Sequence, residues 1–211
     1  IAKKLMSGQI EVAGEQREVS VLFCDIQGFT SMSEQHLPKE VLHSLNRFFS
    51  QVSEIIEAHG GVIDKYIGDA VMAVFGAPQD DPEHAVNAVK AGMAICSQAN
   101  VLIAPHSDGA NEDQGSTCNF GIGIHCGPVV AGNIGSKSRF NYTVIGDTVN
   151  VASRLEALAG RKYEPKLIVA GEIVDCCPGI KFSQLGETSL RGRTQPVRIY
   201  TPTELMDHDQ G

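Results

Sequence analysis

Apolar positions along the chain switch between two periods, and the switches mark out the elements. From Glu18 the run VSVLFCD reads as an apolar strand ending on Asp25, with the glycine-containing loop IQGFTS behind it. Pro38 then opens a helix whose apolar positions Val41, Leu42, Leu45, Phe48, Phe49, Val52, Ile55 and Ile56 recur at helical spacing until Gly60-Gly61 stops it. IDKYIGDAVMAVFG places β-branched and aromatic residues on either side of a Gly68-Asp69 tip, a hairpin signal with a carboxylate at the turn. Asp81-Pro82 supplies an N-cap and a first-turn proline for a second helix through Ala85, Ala88, Val89, Met93 and Ile95. A second run of β-structure, NFGIGIHCG, PVVAGNIG and RFNYTVIG, lies between Cys118 and Ile145. Asp147 can cap a third helix, TVNVASRLEAL, and the strands LIVA and VRIY flank the turn LRGRTQP.

Strand, helix, strand, strand, helix, strand is the order of a ferredoxin-like βαββαβ sandwich, an α/β (α+β) fold whose mixed sheet here gains C-terminal strands. The first helix makes the strand ending at Asp25 and the strand Val62 to Ile67 parallel through a right-handed crossover. If the strand Ala70 to Phe75 folds back between them, Asp25 and Asp69 face one cation-sized space. Aspartate also suits turns for backbone reasons. Two acids at converging strand ends, with no His or Cys nearby, favour Mg²⁺ or Mn²⁺ over Zn²⁺.

Composition narrows the setting. A length of 211 residues suits one domain, and a net charge of −8 argues against nucleic-acid or anionic-membrane binding. A polyphosphate remains accessible to an acidic protein when metal ions supply positive charge locally. No apolar run spans a bilayer and no signal peptide is visible, so a cytoplasmic chain is expected, although a full-length protein could still be membrane-attached. The start at Ile1 suggests a fragment of something larger, with Ile1 to Gln16 a linker from upstream regulatory domains. The six cysteines contain no CxxC pair and read as reduced thiols, with Cys24, Cys96, Cys118 and Cys126 in apolar patterns. Nothing local activates the adjacent Cys176 and Cys177. PHSDGANEDQGS, Pro105 to Ser116, reads as an exposed loop with a solvated His106, and His125 as a structural histidine within a strand.

On the third helix, Asn150 and Arg154 fall one turn apart on one face, while Val149, Ala152 and Leu155 can face the core. An amide and a guanidinium so aligned suit an anionic ligand, though such a pair by itself is more often a solvated face.

Taken together, VSVLFCDIQGFTSMSE, GGVIDKYIGDAVMAVFG, GIGIHCGPVVAGNIGS and YTVIGDTVNVASRLE resemble the catalytic domain of class III adenylate and guanylate cyclases, from about Arg17 to Tyr200. The stretch from Cys118 to Leu155 is most similar to the cyanobacterial enzymes and their animal soluble relatives. The resemblance implies a tail over residues 1–17, a cyclase catalytic domain over 18–203 and a tail over 204–211. Asp25 and Asp69 match the family's metal-binding aspartates, with the Ile26 carbonyl an additional ligand to two divalent ions. Amides around Gly28, Phe29 and Thr30 match the phosphate cradle, Lys65 and Thr143 the pair that reads the base, and Arg191 a basic triphosphate contact. Asn150 and Arg154 match the residues acting on the ribose and on the reacting phosphate. The resemblance further implies a homodimer whose sites take the aspartates from one subunit and the other set from its partner.

The implied reaction is attack of the ATP 3′-hydroxyl on its own α-phosphorus with pyrophosphate leaving, two metals serving both ends of the displacement. The Lys65 ammonium can only donate, which suits adenine N1 and opposes guanine N1–H. Thr143 stands where many animal enzymes carry aspartate; a hydroxyl accepts from the 6-amino group but can also turn and donate. Threonine here resembles the bicarbonate-stimulated branch. The alternatives are a guanylate cyclase, a catalytically silent cyclase-homology domain, or a palm-type polymerase or diguanylate cyclase. The last predicts a GG-D/E-E-F tip, whereas the tip here is YIGDA; a silent domain would usually have lost an aspartate, Asn150 or Arg154.

Overall fold

The computed structural model describes residues 14–98, 119–136 and 139–206. Its N-terminal half is β1 (Glu15–Gln27), α1 (Phe29–Gln35), α2 (Pro38–Ala58), β2 (Val62–Ile67), β3 (Ala70–Phe75) and α3 (His84–Ser97). The second half is β4 (Asn119–Ser136), β5 (Arg139–Ile145), α4 (Asp147–Glu156), β6 (Leu167–Ala170), α5 (Gly171–Cys176), β7 (Ile180–Thr188) and β8 (Val197–Leu205). The sheet order is β2-β3-β1-β4-β6-β8-β7, with β5 paired to β4. β3 lies between β1 and β2 and is antiparallel to both, so those two run parallel as the crossover rule requires. The path β2-β3-β1-β4 is the expected ferredoxin-like unit, and β6, β8 and β7 extend it.

Alternation along β1 divides the core. Leu22, Cys24 and Ile26 pack on one face under Phe48, Val52 and Ile56 of α2 and Ala88 and Val89 of α3. Val19, Val21 and Phe23 face the other way, beneath Val144 of β5 and Ala152 of α4. A third cluster joins Val151 and Leu155 of α4 to Ile168 and Ile199. By the same alternation Asp25 lies on the α4 side.

Several boundaries differ from expectation. β1 begins at Glu15, not Glu18, because its ladder to β4 runs on from Glu18↔Pro128 to Glu15↔Ala131. Gly127-Pro128 therefore does not break β4, which is one continuous strand across NFGIGIHCG and PVVAGNIG. The loop after Asp25 contains the helix α1. α3 starts at His84, since the Asp81 carboxylate accepts from the Glu83 amide at 2.9 Å in a preceding turn. α4 is capped by Gly146; Asp147 is inside the helix and pairs with Arg193 at 3.0 Å. Of the apolar set on α4, Val151, Ala152 and Leu155 are fully buried and Val149 is half-buried. β7 and α5 lie outside the elements the sequence pattern predicts, β7 because its faces alternate too weakly to give a strand pattern. Pro105 to Ser116, with His106, and Cys118 lie outside the described residues. Cys24, Cys96, Cys126, Cys176 and Cys177 are free thiols, and burial pushes Cys96 up to about 11, an inert form. No helix among the described residues is long and apolar enough to cross a membrane.

Candidate active site

The hairpin closes as two residues, Gly68 and Asp69, between Ile67 and Ala70, with Gly68 at φ 64°, a left-handed conformation that favours glycine. Ala70 is also the register partner of Asp25. The sheet thus delivers the two predicted acids to one end, where Asp69 lies close enough to act on Asp25. Burial first, then the Asp69 charge, raises the Asp25 carboxyl above its usual range, while Arg161 pulls it down. Ile26 buries its side chain in the opposite face, leaving only its main chain for the site.

Two further residues join this corner that the sequence reading did not select. Arg161 donates to Asp25 Oδ2 at 3.3 Å and lies 3.6 Å from Glu156 Oε1. Glu156 is buried, and its Oε1 has no hydrogen-bond partner. Burial, then the Asp25 charge, pushes Glu156 up to about 7 against the pull of Arg161. Hard oxygens under mutual repulsion, with an unsatisfied buried carboxylate behind them, fit a divalent cation. Among the described residues no three His, Cys, Asp or Glu side chains form a ready cage, so Asp25 and Asp69 would hold metal together with main-chain, water or phosphate oxygens.

Glu156 makes stability depend on pH. Below the unfolded carboxyl value of about 4.5 both states hold the proton; as pH rises toward about 7 the unfolded chain ionises first and the folded state loses ground. Glu156→Gln should remove that slope and stabilise the metal-free protein at pH 8 by on the order of 1–3 kcal/mol. Melting curves at pH 5 and 8 check this, and parallel pH dependence in both chains would contradict it.

Lys65 and Thr143 also meet. β5 folds over the sheet so that Val144 packs with Met72 and Val74, and Lys65 Nζ donates to Thr143 Oγ1 at 2.8 Å. Asn150 is exposed and Arg154 half-buried on α4, and neither forms a hydrogen bond or ion pair among the described residues. Successive helical residues turn by about 100°, so Asn150 and Arg154 share a face while Glu156 points roughly 200° away from Arg154. Because Glu156 lies beside Asp25, the Asn150–Arg154 face is turned away from its own chain's carboxylates. Their convergence within one chain is not observed.

The remaining predicted contacts are at loop ends. Gly28 is left-handed at φ 75°, with open space where a side chain would stand, and α1 begins at Phe29 and Thr30 immediately after it. Arg191 is exposed, and the following Gly192 lies beside the Arg154 guanidinium, 3.7 Å from a Cβ built on that glycine to Nη2. His125 is buried, its Nδ1 without a hydrogen bond and its pKa lowered by that burial.

A ferredoxin-like sheet with two acids at converging strand ends, and an amide–guanidinium pair turned outward on a neighbouring helix, is the arrangement that the resemblance to class III nucleotidyl cyclases implies. The chain belongs to that family: residues 11–202 match the model described as the adenylate and guanylate cyclase catalytic domain. It is 36% identical over 190 residues to adenylate cyclase 1 of Rhizobium meliloti (strain 1021), covering 89% of this chain and 28% of that protein. The chain spans about a third of the length of the curated relatives it matches, from 28% to 34%. Among solved structures it resembles the adenylyl cyclase CyaB from P. aeruginosa, with TM-score 0.79, 30% identity and coverage of 93% and 98% of the two chains. It also resembles the guanylyl cyclase Cya2, with TM-score 0.74, 29% identity and coverage of 92% and 95%. Both base specificities therefore occur among the relatives, and the choice of nucleotide turns on this chain's own residues.

Proposed function

We propose that the chain is an adenylate cyclase, converting ATP to 3′,5′-cyclic AMP and pyrophosphate at sites shared across a homodimer, with two divalent ions. The observation that carries the choice of ATP is the contact between Lys65 and Thr143, 2.8 Å apart, which sets an obligate donor beside a hydroxyl. Adenine offers an acceptor at N1 beside a donor at the 6-amino group, and guanine offers the reverse.

Asp25 and Asp69, with the Ile26 carbonyl, would hold the ions, which when bound polarise phosphoryl oxygens and lower the pKa of a coordinated hydroxyl. Amides at Gly28, Phe29 and Thr30 would receive the terminal phosphates, with Arg191 as a further contact. Asn150 of the partner would hold the ribose so that its 3′-oxygen stands in line with the α-phosphorus, and the partner's Arg154 would balance charge growing on the α-phosphoryl oxygens. The outward face of α4 supports this division of labour. So does the apolar β4–β5 surface, where Val130, Ile134, Phe140 and Ile145 are exposed at 37–55%, more than a monomer's scattered apolar residues require.

Incubation with ATP or GTP plus Mg²⁺ or Mn²⁺, followed by product identification, tests the proposal. Cyclic AMP as the main product is expected; cyclic GMP would establish the guanylate alternative, and no product from a dimeric preparation would favour a silent domain. Thr143 also motivates stimulation by bicarbonate, as in the branch it resembles. An unchanged initial rate when bicarbonate replaces chloride at fixed pH would dismiss that.

A further inference from the structure

We infer that Asp64 fixes the Thr143 hydroxyl as a hydrogen-bond acceptor and so sets the preference for a 6-amino over a 6-oxo purine, an inference that rests on Lys65 and Thr143 reading the base. Thr143 Oγ1 donates to Asp64 Oδ2 at 2.8 Å. The direction is not free to reverse, since an ionised carboxylate has no proton to give. Lys65 Nζ donates to the same hydroxyl at 2.8 Å and lies 3.0 Å from the same Asp64 oxygen. The hydroxyl has one proton and two lone pairs. The proton goes to Asp64 and one lone pair to Lys65, which leaves one acceptor site for the ligand and no donor.

That changes the chemistry expected of a threonine. An unrestrained hydroxyl turns to donate to a 6-oxo group as readily as it accepts from a 6-amino group. Here it can only accept, so an adenine 6-amino group is matched and a 6-oxo group meets lone pair against lone pair. The barrier to turning is the loss of a hydrogen bond to a carboxylate whose side chain is only 5% exposed and which would then keep Lys65 alone, at a threonine 7% exposed.

The local backbone explains how Asp64 and Lys65 reach one atom. Neighbours on a regular strand point to opposite faces. β2 is not regular at this point: Ile63 pairs with Ala73 and Lys65 with Met72, leaving Asp64 as the extra residue of a bulge. A bulge re-aims the side chains that flank it. Both then converge on Thr143, 79 and 78 positions away in the chain.

The test compares kcat/KM for ATP and ITP, which differ only at the 6-position and N1, in the wild-type chain and in Asp64→Ala, with dimerisation and melting temperature recorded. Asp64→Ala should lower the ATP/ITP ratio on the order of tenfold, the scale of one misdirected hydrogen bond. Asp64→Asn should keep the ratio within about threefold, because its amide oxygen can accept from both Lys65 and Thr143 as Oδ2 does. In a Thr143→Val background, Asp64→Ala should leave the ratio where Thr143→Val alone puts it. If Asp64→Ala fails to fold, Asp64→Ser, whose hydroxyl is too short to reach Thr143, takes its place. A folded, active Asp64→Ala or Asp64→Ser enzyme with the wild-type ratio would overturn the role of Asp64 alone. A wild-type dimer that cyclises neither nucleotide, or prefers ITP, would instead overturn the adenylate cyclase reading on which it rests.

Discussion

Asp25→Ala and Asn150→Ala chains are each expected to lose cyclase activity, and mixing the two is expected to bring it back. The loss should be at least on the order of 10³-fold for the aspartate, which removes one of two facing carboxylates, and 10²-fold or more for the amide proposed to orient the ribose. The recovery follows from the direction of α4. Glu156, at its C-terminal end, lies on the same side as Asp25 through Arg161, which contacts both carboxylates at 3.3 and 3.6 Å. Asn150 and Arg154 then project from the other side of the same helix, so the set proposed to meet the ribose and the reacting phosphate faces away from Asp25 of its own chain. Two-fold symmetry in the proposed homodimer would supply both sets to each of two sites. In an equal mixture half the dimers are mixed and each retains one intact site, so recovery should approach about a quarter of the wild-type rate. Activity is read by cyclic nucleotide formation and pairing by differentially tagged chains. Mixed dimers that form yet stay inactive would refute the shared site.

The chain order alone made the two aspartates legible as a pair, because a two-residue hairpin and a right-handed crossover leave little freedom in where Asp69 falls. The insertion of β3 between β1 and β2, the only conditional step in that reasoning, is what the sheet does. Residues whose role depends on side-chain contacts made far along the chain were not legible. Arg161 and Asp25 are 136 positions apart and no periodicity links them. Asp64 read as one strand residue among several, since a bulge leaves no mark in a six-residue apolar–polar pattern. Glu156 carries no signal in the helical pattern, and it is buried because α4 descends closely onto β4 there. The threonine hydroxyl, left free to turn when only its residue type is considered, has its proton committed to Asp64 at 2.8 Å.

That close descent of α4 is the basis of the second large effect, expected at Gly123→Ala. A Cβ built on Gly123 would stand 2.2 Å from the Ala152 carbonyl oxygen and 2.2 Å from the Glu156 amide nitrogen; one on Gly121 would stand 2.8 Å from the Glu156 carbonyl oxygen. The two glycines, alternate residues on one face of β4, are a bare floor on which the helix backbone rests. Main-chain atoms cannot rotate away as a flexible side chain would, so a methyl group at Gly123 must lift α4 or bend β4. Neither is cheap: Phe23 and Ile168 flank Gly123 in register, and Val151, Ala152 and Leu155 hold the helix in two core clusters. Overpacking of this kind costs about 3 kcal/mol or more when backbone must move. Lifting α4 also shifts Asn150, Arg154 and the buried Glu156 together, and a displacement of about 1 Å at groups that position a reaction can cost on the order of 10²-fold in rate. Gly123→Ala is therefore expected to lower the denaturation midpoint and, in whatever fraction remains folded, to depress turnover far more than nucleotide affinity, since Lys65 and Thr143, the proposed base contacts, sit on β2 and β5. Chemical denaturation, activity corrected for folded fraction and nucleotide affinity measured on the same preparations separate these effects. A chain with Gly123→Ala that melts and turns over like wild type would mean that α4 does not rest on β4 as described, and the outward direction of Asn150 and Arg154 would lose its support.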